Sequence, residues 1–191
     1  MITYFTSAYF AGLSITEHIE LNPDTQKEFI KFIKNISENN NYKNWEIAKG
    51  RLFCNDIDFN SPKELWFTKI NFKNYKIRLD FAAVDLGKDG YVGFYLAYKN
   101  GKNYIKLILN GSQIEIEKNI NGSKQKNKYS LPENFDIKNL HTLLIKKIDG
   151  SMLVVLDNYN LFQEQSVITH EILGFTCIGS SYFEGIEITK L

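Results

Sequence analysis

The chain has 191 residues, 43% of them hydrophobic and 24% charged, with only 3 prolines. That suits one globular domain, or one domain with an extension, long enough to bury a sizeable core without staples. Lysine plus arginine number 23 against 22 acidic residues, a formal charge of +1, which argues against a dedicated nucleic-acid binder and against a polybasic membrane-surface protein.

Met1 to Gly12 is apolar, but no Lys or Arg precedes it, and Thr3, Thr6 and Ser7 interrupt it. It lacks the form of a signal peptide. No run of about eighteen apolar residues exists for a membrane helix. The expected location is cytoplasmic, or within a larger secreted chain. Ile2 to Phe10 reads as a strand or extended arm, and Ile15 to Leu21 as a second short alternating segment. Asn22-Pro23-Asp24-Thr25 then gives a helix start, with Thr25 and Glu28 at capping-box spacing. Phe29, Ile30, Phe32, Ile33 and Ile36 recur at helical spacing. This predicts one amphipathic helix from about Asp24 to about Glu38, ended by Asn39-Asn40-Asn41. Residues 1–44 are the expected N-terminal extension and 45–191 the expected main domain.

From Trp45 onward the period changes to two. Strands are expected at Trp45 to Ala48, Arg51 to Asn55, Glu64 to Ile70, Tyr75 to Val84, Tyr91 to Lys99 and Lys102 to Leu109. Further strands are expected at Gln113 to Lys118, His141 to Ile148, Met152 to Asp157, Phe175 to Ile178 and Phe183 to Leu191. Lys88-Asp89-Gly90, Lys99-Asn100-Gly101, Asn110-Gly111 and Asp149-Gly150-Ser151 carry hairpin chemistry, and Asn121-Gly122 continues the series. In Tyr91 to Tyr98 the set Val92, Phe94, Leu96 and Tyr98 opposes Tyr91, Gly93, Tyr95 and Ala97. Many short antiparallel strands without helical crossovers predict an all-β, two-sheet antiparallel jelly-roll sandwich with one N-terminal helix. Trp45 and Trp66 are expected as core anchors.

Cys54 and Cys177 form no CxxC pair and no Cys/His cluster. Two buried free thiols are expected, with a disulfide between them as the alternative. His18 and His170 flank Glu17 and Glu171 and read as surface residues; His141 opens a strand and reads as structural. There is no G-x-S-x-G elbow and no glycine-rich phosphate loop. Asp85-Leu86-Gly87-Lys88-Asp89-Gly90 starts like a calcium loop. It lacks the third acidic ligand and the terminal Glu, so a hairpin turn is expected there.

The order of motifs after Trp45 resembles the concanavalin A-like jelly roll, and more narrowly the laminin-G-like modules attached to glycoside hydrolases. The carriers are Trp45-Glu46 with Lys49-Gly50-Arg51-Leu52, Phe72 to Phe81, Asp89-Gly90-Tyr91-Val92-Gly93-Phe94 and Asn103 to Leu107. They continue with His141 to Ile145, Asp149-Gly150, Val154 to Asn158, Ile178-Gly179 and Phe183 to Ile188. The resemblance implies a curved sandwich with a concave sheet, but members include lectins, hydrolases and silent interaction modules. Hydrolytic members carry E-[IL]-D-x-(x)-E on one strand. Glu115-Ile116-Glu117 lacks the central Asp and the third acid, so two exposed glutamates on a solvent face are expected, and no catalytic residue is assigned. Glu184 and Glu187 fail in the same way. No cofactor is expected; a calcium site in other loops would draw on Asp157-Asn158 or Asp56 and Asp58.

Sugar recognition needs an aromatic face for the ring and polar groups for the hydroxyls. The outward residues that offer both are Tyr91, Tyr95, Arg78, Asp80, Tyr104 and Lys106, expected together on the concave sheet. The expected function is a non-catalytic carbohydrate-binding or accessory module of a glycan-processing system, with carbohydrate as ligand and a neighbouring glycosidase domain as partner. The alternatives are a glycoside hydrolase with an unrecognised acid pair and a protein-interaction or structural sandwich. High Lys, Asn and Ile usage suggests an AT-rich bacterial genome.

Overall fold

The computed structural model describes residues 18–21 (backbone only), 44–49, 51–56, 59–67, 72–111, 113–166, 168 and 172–191. The expected arm at Ile2 to Phe10 and the expected helix at Asp24 to Glu38 lie outside them. Fourteen strands are described: β1 (His18–Leu21), β2 (Trp45–Ala48), β3 (Arg51–Cys54), β4 (Lys63–Phe67), β5 (Tyr75–Asp85), β6 (Tyr91–Asn100) and β7 (Asn103–Asn110). They continue as β8 (Gln113–Ile120), β9 (Ser123–Ser130), β10 (His141–Ile148), β11 (Ser151–Leu156), β12 (Tyr159–Gln165), β13 (Ile172–Ile178) and β14 (Ser180–Lys190). No helix among the described residues is long and apolar enough to cross a membrane.

The strands form two antiparallel sheets. The eight-stranded sheet runs β12-β11-β10-β5-β14-β3-β2, with β1 also paired to β14. The six-stranded sheet runs β4-β13-β6-β7-β8-β9. This is the expected two-layer sandwich. β1, from the expected N-terminal extension, pairs with β14: His18–Leu21 lies opposite Ile186 to Thr189.

Alternation builds the layers. In β5, Ile77, Leu79 and Phe81 point to the core while Lys76, Arg78 and Asp80 point away. In β7, Ile105, Leu107 and Leu109 are core while Tyr104, Lys106 and Ile108 lie on the other face. Between the sheets an aromatic cluster joins both layers: Phe175 and Phe183 stack at 4.7 Å with planes 2° apart. Phe94 meets both edge-on, at 5.6 and 5.9 Å. Trp45 is in this core as expected.

Turn chemistry sets most of the order. Asn121-Gly122 and Asp149-Gly150 have positive φ at both positions, as type I′ hairpins require, and they join β8 to β9 and β10 to β11. The expected hairpin at Lys88-Asp89-Gly90 is different. β5 pairs with β10 and β14, and β6 with β7 and β13, so this turn carries the chain from one sheet to the other. Cys54 and Cys177 are buried free thiols, with Cys177 Sγ 3.0 Å from Ser181 Oγ.

Candidate functional site

The outer face of the six-stranded sheet concentrates aromatic and charged side chains. The alternation expected for β6 breaks at Leu96. A register shift lies between Tyr95 and Ala97 against β7, so Ala97 pairs with Ile105 and turns inward, and Tyr98 pairs with Tyr104 on the outer face. A bulge does this because one extra residue reverses the facing of everything after it. Tyr98 therefore joins Tyr95, with ring centroids 5.3 Å apart, and lies near-parallel to Tyr104 at 6.5 Å.

Trp66 belongs to this face and not to the core. In β4, Leu65 and Phe67 point inward, which leaves Glu64 and Trp66 outward. The indole lies across Gly174 of β13, where a Cβ would sit 2.9 Å from Cε3. It reaches Tyr95 and Tyr98, each at 4.5 Å between centroids. The result is a four-ring cluster of Trp66, Tyr95, Tyr98 and Tyr104, with Tyr91 beside it; Trp66 and Tyr104 are mostly buried, and Tyr95 and Tyr98, edge to face at 75°, are its more accessible rings. Gly93, between Tyr91 and Tyr95, does not leave an open gap: a Cβ there would meet the Thr176 methyl at 2.8 Å.

Polar groups frame the rings. Tyr95 Oη donates to Glu64 Oε1 at 2.9 Å, and Tyr91 Oη lies 3.3 Å from Thr176 Oγ1. Tyr104 Oη donates to Glu117. Lys126 bridges Glu115 at 2.7 Å and Glu117 at 3.1 Å. Glu115 and Glu117 are thus not free solvent-facing acids; Glu117 is 6% exposed. Lys106 Nζ stands 5.9, 5.7 and 5.9 Å from the ring centroids of Tyr91, Tyr95 and Tyr104.

Burial sets the protonation of these groups. It raises the Tyr91 phenol, and with the Glu64 carboxylate it raises Tyr95 strongly. Burial and the bond to Glu117 push Tyr104 up to about 12. All three stay neutral phenols at pH 7. Burial lowers the Lys106 ammonium, opposed by the field of Glu117 and Glu64. For Glu117, burial pushes the carboxyl up, but the Tyr104 hydroxyl and the Lys126 ammonium outweigh it and hold the group below its ordinary value. Its stabilising contribution is complete above that ordinary value and is lost as pH falls through the lower folded value. Glu117→Gln should therefore remove part of the acid limb in a stability-against-pH profile measured by urea unfolding. An unchanged acid limb would contradict the assignment.

Of the residues expected to form one cluster, Tyr91, Tyr95, Tyr104 and Lys106 are together. Arg78 and Asp80 are not with them. They lie on the outer face of the eight-stranded sheet, on the opposite side of the sandwich, because the turn after β5 changes sheets. There, Thr142 Oγ1 donates to Asp80 Oδ1 at 2.5 Å and Arg78 Nη2 lies 3.6 Å from the same oxygen.

Two clefts lie away from the tyrosine face. One of about 560 Å³ is lined by turn residues including Asp85, Lys88, Asp89 and Asn110. Asp85 Oδ1 there accepts the Gly87 N–H at 2.9 Å. The other, about 380 Å³, is lined by Ile114, Tyr129, Phe135, Leu156 and Tyr159 from strands of both sheets and the segment before β10. His141 is held by Asp157 Oδ2 and the Asp136 carbonyl, both at 2.9 Å, and stacks on Phe135. Among the described residues no three His, Cys, Asp or Glu side chains gather as metal ligands.

No family model and no curated protein matches the chain by sequence. Solved structures match its fold. The potassium-bound carbohydrate recognition domain of Emp46p superposes with a TM-score of 0.58 at 14% identity, covering 90% of this chain and 95% of that one. Sheep galectin-11 in complex with glycerol gives 0.52 at 11% identity, covering 67% and 97%. A native glycosidic hydrolase gives 0.51 at 8% identity, covering 78% and 80%. At such identities the likeness is one of fold. With its two antiparallel layers, the chain shares the jelly-roll sandwich fold of these structures.

Proposed function

We propose that this chain is a non-catalytic carbohydrate-binding or accessory module of a glycan-processing system, taking sugar on the outer face of the six-stranded sheet. The observation that carries this is the cluster of Trp66, Tyr95, Tyr98 and Tyr104, flanked by Tyr91 and Lys106. Aromatic rings match the C–H face of a pyranose, and the surrounding phenols, carboxylates and ammonium groups match its hydroxyls. Galectin-11 and the Emp46p recognition domain share the fold. The module's expected partner is a neighbouring glycosidase domain, which it would hold near its substrate.

The carboxylates on this face favour binding over hydrolysis. Glu64 accepts from Tyr95, and Glu115 and Glu117 are tied to Lys126. A glycosidase acid needs a raised pKa, whereas Glu117 is lowered.

A glycan array followed by calorimetry tests the reading. Tyr98→Ala and Tyr95→Ala should each weaken binding by about tenfold, the value of one lost stacking contact. Arg78→Ala, on the far sheet, should leave affinity unchanged. Loss of binding in Arg78→Ala with both tyrosine variants unaffected would move the site to the eight-stranded sheet.

A further inference from the structure

Lys106 stands at the centre of the tyrosine face. Its Nζ is surrounded by three tyrosine rings at nearly equal distance. It makes no hydrogen bond and no ion pair with any described residue. The carboxylates whose field reaches it are already engaged: Glu64 by Tyr95, Glu117 by Tyr104 and Lys126, and Glu115 by Lys126. Ring faces attract a cation, but they accept none of its three N–H bonds as an oxygen would. A half-buried ammonium without an oxygen partner is an incomplete site, and an anion completes it. Lys126 and Lys128, on β9 at the margin of the same face, pair with Glu115 and Glu117, which leaves Lys106 as the ammonium of this cluster with no carboxylate in salt-bridge contact among the described residues.

Resting on the carbohydrate reading above, we infer that the ligand is an anionic glycan whose carboxylate or sulfate is received by Lys106 Nζ while its sugar ring lies on the tyrosine cluster. A neutral hydroxyl can accept from Lys106, but it brings no counter-charge into direct contact with the ammonium. An acidic sugar supplies both the ring face and the counter-charge.

The test compares matched probes by calorimetry on the whole chain: oligogalacturonate, the same oligomer fully methyl-esterified, and a sulfated neutral oligosaccharide. The acid form should bind at least about tenfold tighter than its ester, with a preference that shrinks as salt rises. Lys106→Met should erase the preference, and Lys106→Arg should keep it. Circular dichroism checks that each variant is folded. Tight binding of the sulfated probe, lost in Lys106→Met, supports the inference with sulfate as the anion. Equal binding of acid and ester, or a charge preference that survives Lys106→Met, overturns it. If neutral probes bind and Tyr98→Ala abolishes that binding, this inference falls while the carbohydrate reading stands. If no glycan of any charge binds, both fall.

Discussion

Gly179→Ala should destabilise the protein by about 3–5 kcal/mol, a large share of the stability of a typical domain. Gly179 is the single residue between β13 of the six-stranded sheet and β14 of the eight-stranded sheet. The chain changes layers there with φ at +97°, a conformation that costs an L side chain about 1–3 kcal/mol. A Cβ would also sit 2.5 Å from the Asp85 carbonyl oxygen and 2.8 Å from Leu86 Cα. Both are backbone atoms, so no rotamer change relieves the clash. The Asp85–Leu86 backbone belongs to the turn that makes a second crossing, from β5 to β6, so displacing it disturbs two passages between the layers at once. Gly179 N–H donates to Asp56 Oδ2 at 3.3 Å, and its carbonyl accepts from Cys177 Sγ at 3.1 Å, which further limits how it can yield. Equilibrium urea unfolding measures the loss. A midpoint like that of the parent protein would show that this crossing tolerates a side chain.

Phe175→Ala should cost about 3–5 kcal/mol, in the range of large-to-small core changes. Phe175 is 2% exposed. It contacts Phe67 and Phe94 on its own sheet at 4.9 and 5.6 Å. Across the core it meets Phe183 at 4.7 Å and Trp45 at 6.1 Å. Truncation removes apolar area and leaves a cavity lined by four rings from both sheets. These rings are fixed by neighbouring strands and cannot collapse into the space. Phe175→Leu keeps most of the volume and should cost about 1–2 kcal/mol. Trp45, one of the rings at the cavity, serves as a fluorescence probe of the same unfolding. Equal midpoints for the alanine and leucine variants would show that the cavity is refilled.

The sandwich was legible where one face is buried. β5, β7, β8 and β10 alternate because each has one dry side, and period two is then written into the residues. β9 escaped notice for the opposite reason. Ser123 to Ser130 is exposed throughout and is bonded only to β8, so no hydrophobic pattern is required of it. Its lysines at 124, 126 and 128 are what a protected sheet edge carries. The Asn121-Gly122 turn was its signal, since a type I′ hairpin needs a second strand. β12 has Phe162 as its only fully buried residue and was missed on the same ground.

The candidate site was half legible. Tyr91, Tyr95, Tyr104 and Lys106 follow from alternation and lie together. Tyr98 was assigned inward because a bulge leaves no mark in the pattern of apolar residues. Trp66 was assigned to the core because Leu65-Trp66-Phe67 reads as one apolar run; its parity with Glu64 was the available clue. Glu117 looked solvated because its partners, Tyr104 and Lys126, come from two other strands.

The sequence by itself determined that there are many antiparallel strands, where most of them lie, several of the hairpin turns and most of the residues that the alternating strands bury. These are local consequences of side-chain alternation and of glycine and asparagine at positive φ. The tertiary structure alone decided which strands share a sheet. The turn at Lys88-Asp89-Gly90 looks like a hairpin turn in one dimension, yet it passes between layers, because sheet membership is set by long-range pairing of β5 with β10 and β14. That pairing put Arg78 and Asp80 on one side of the molecule and the tyrosines on the other.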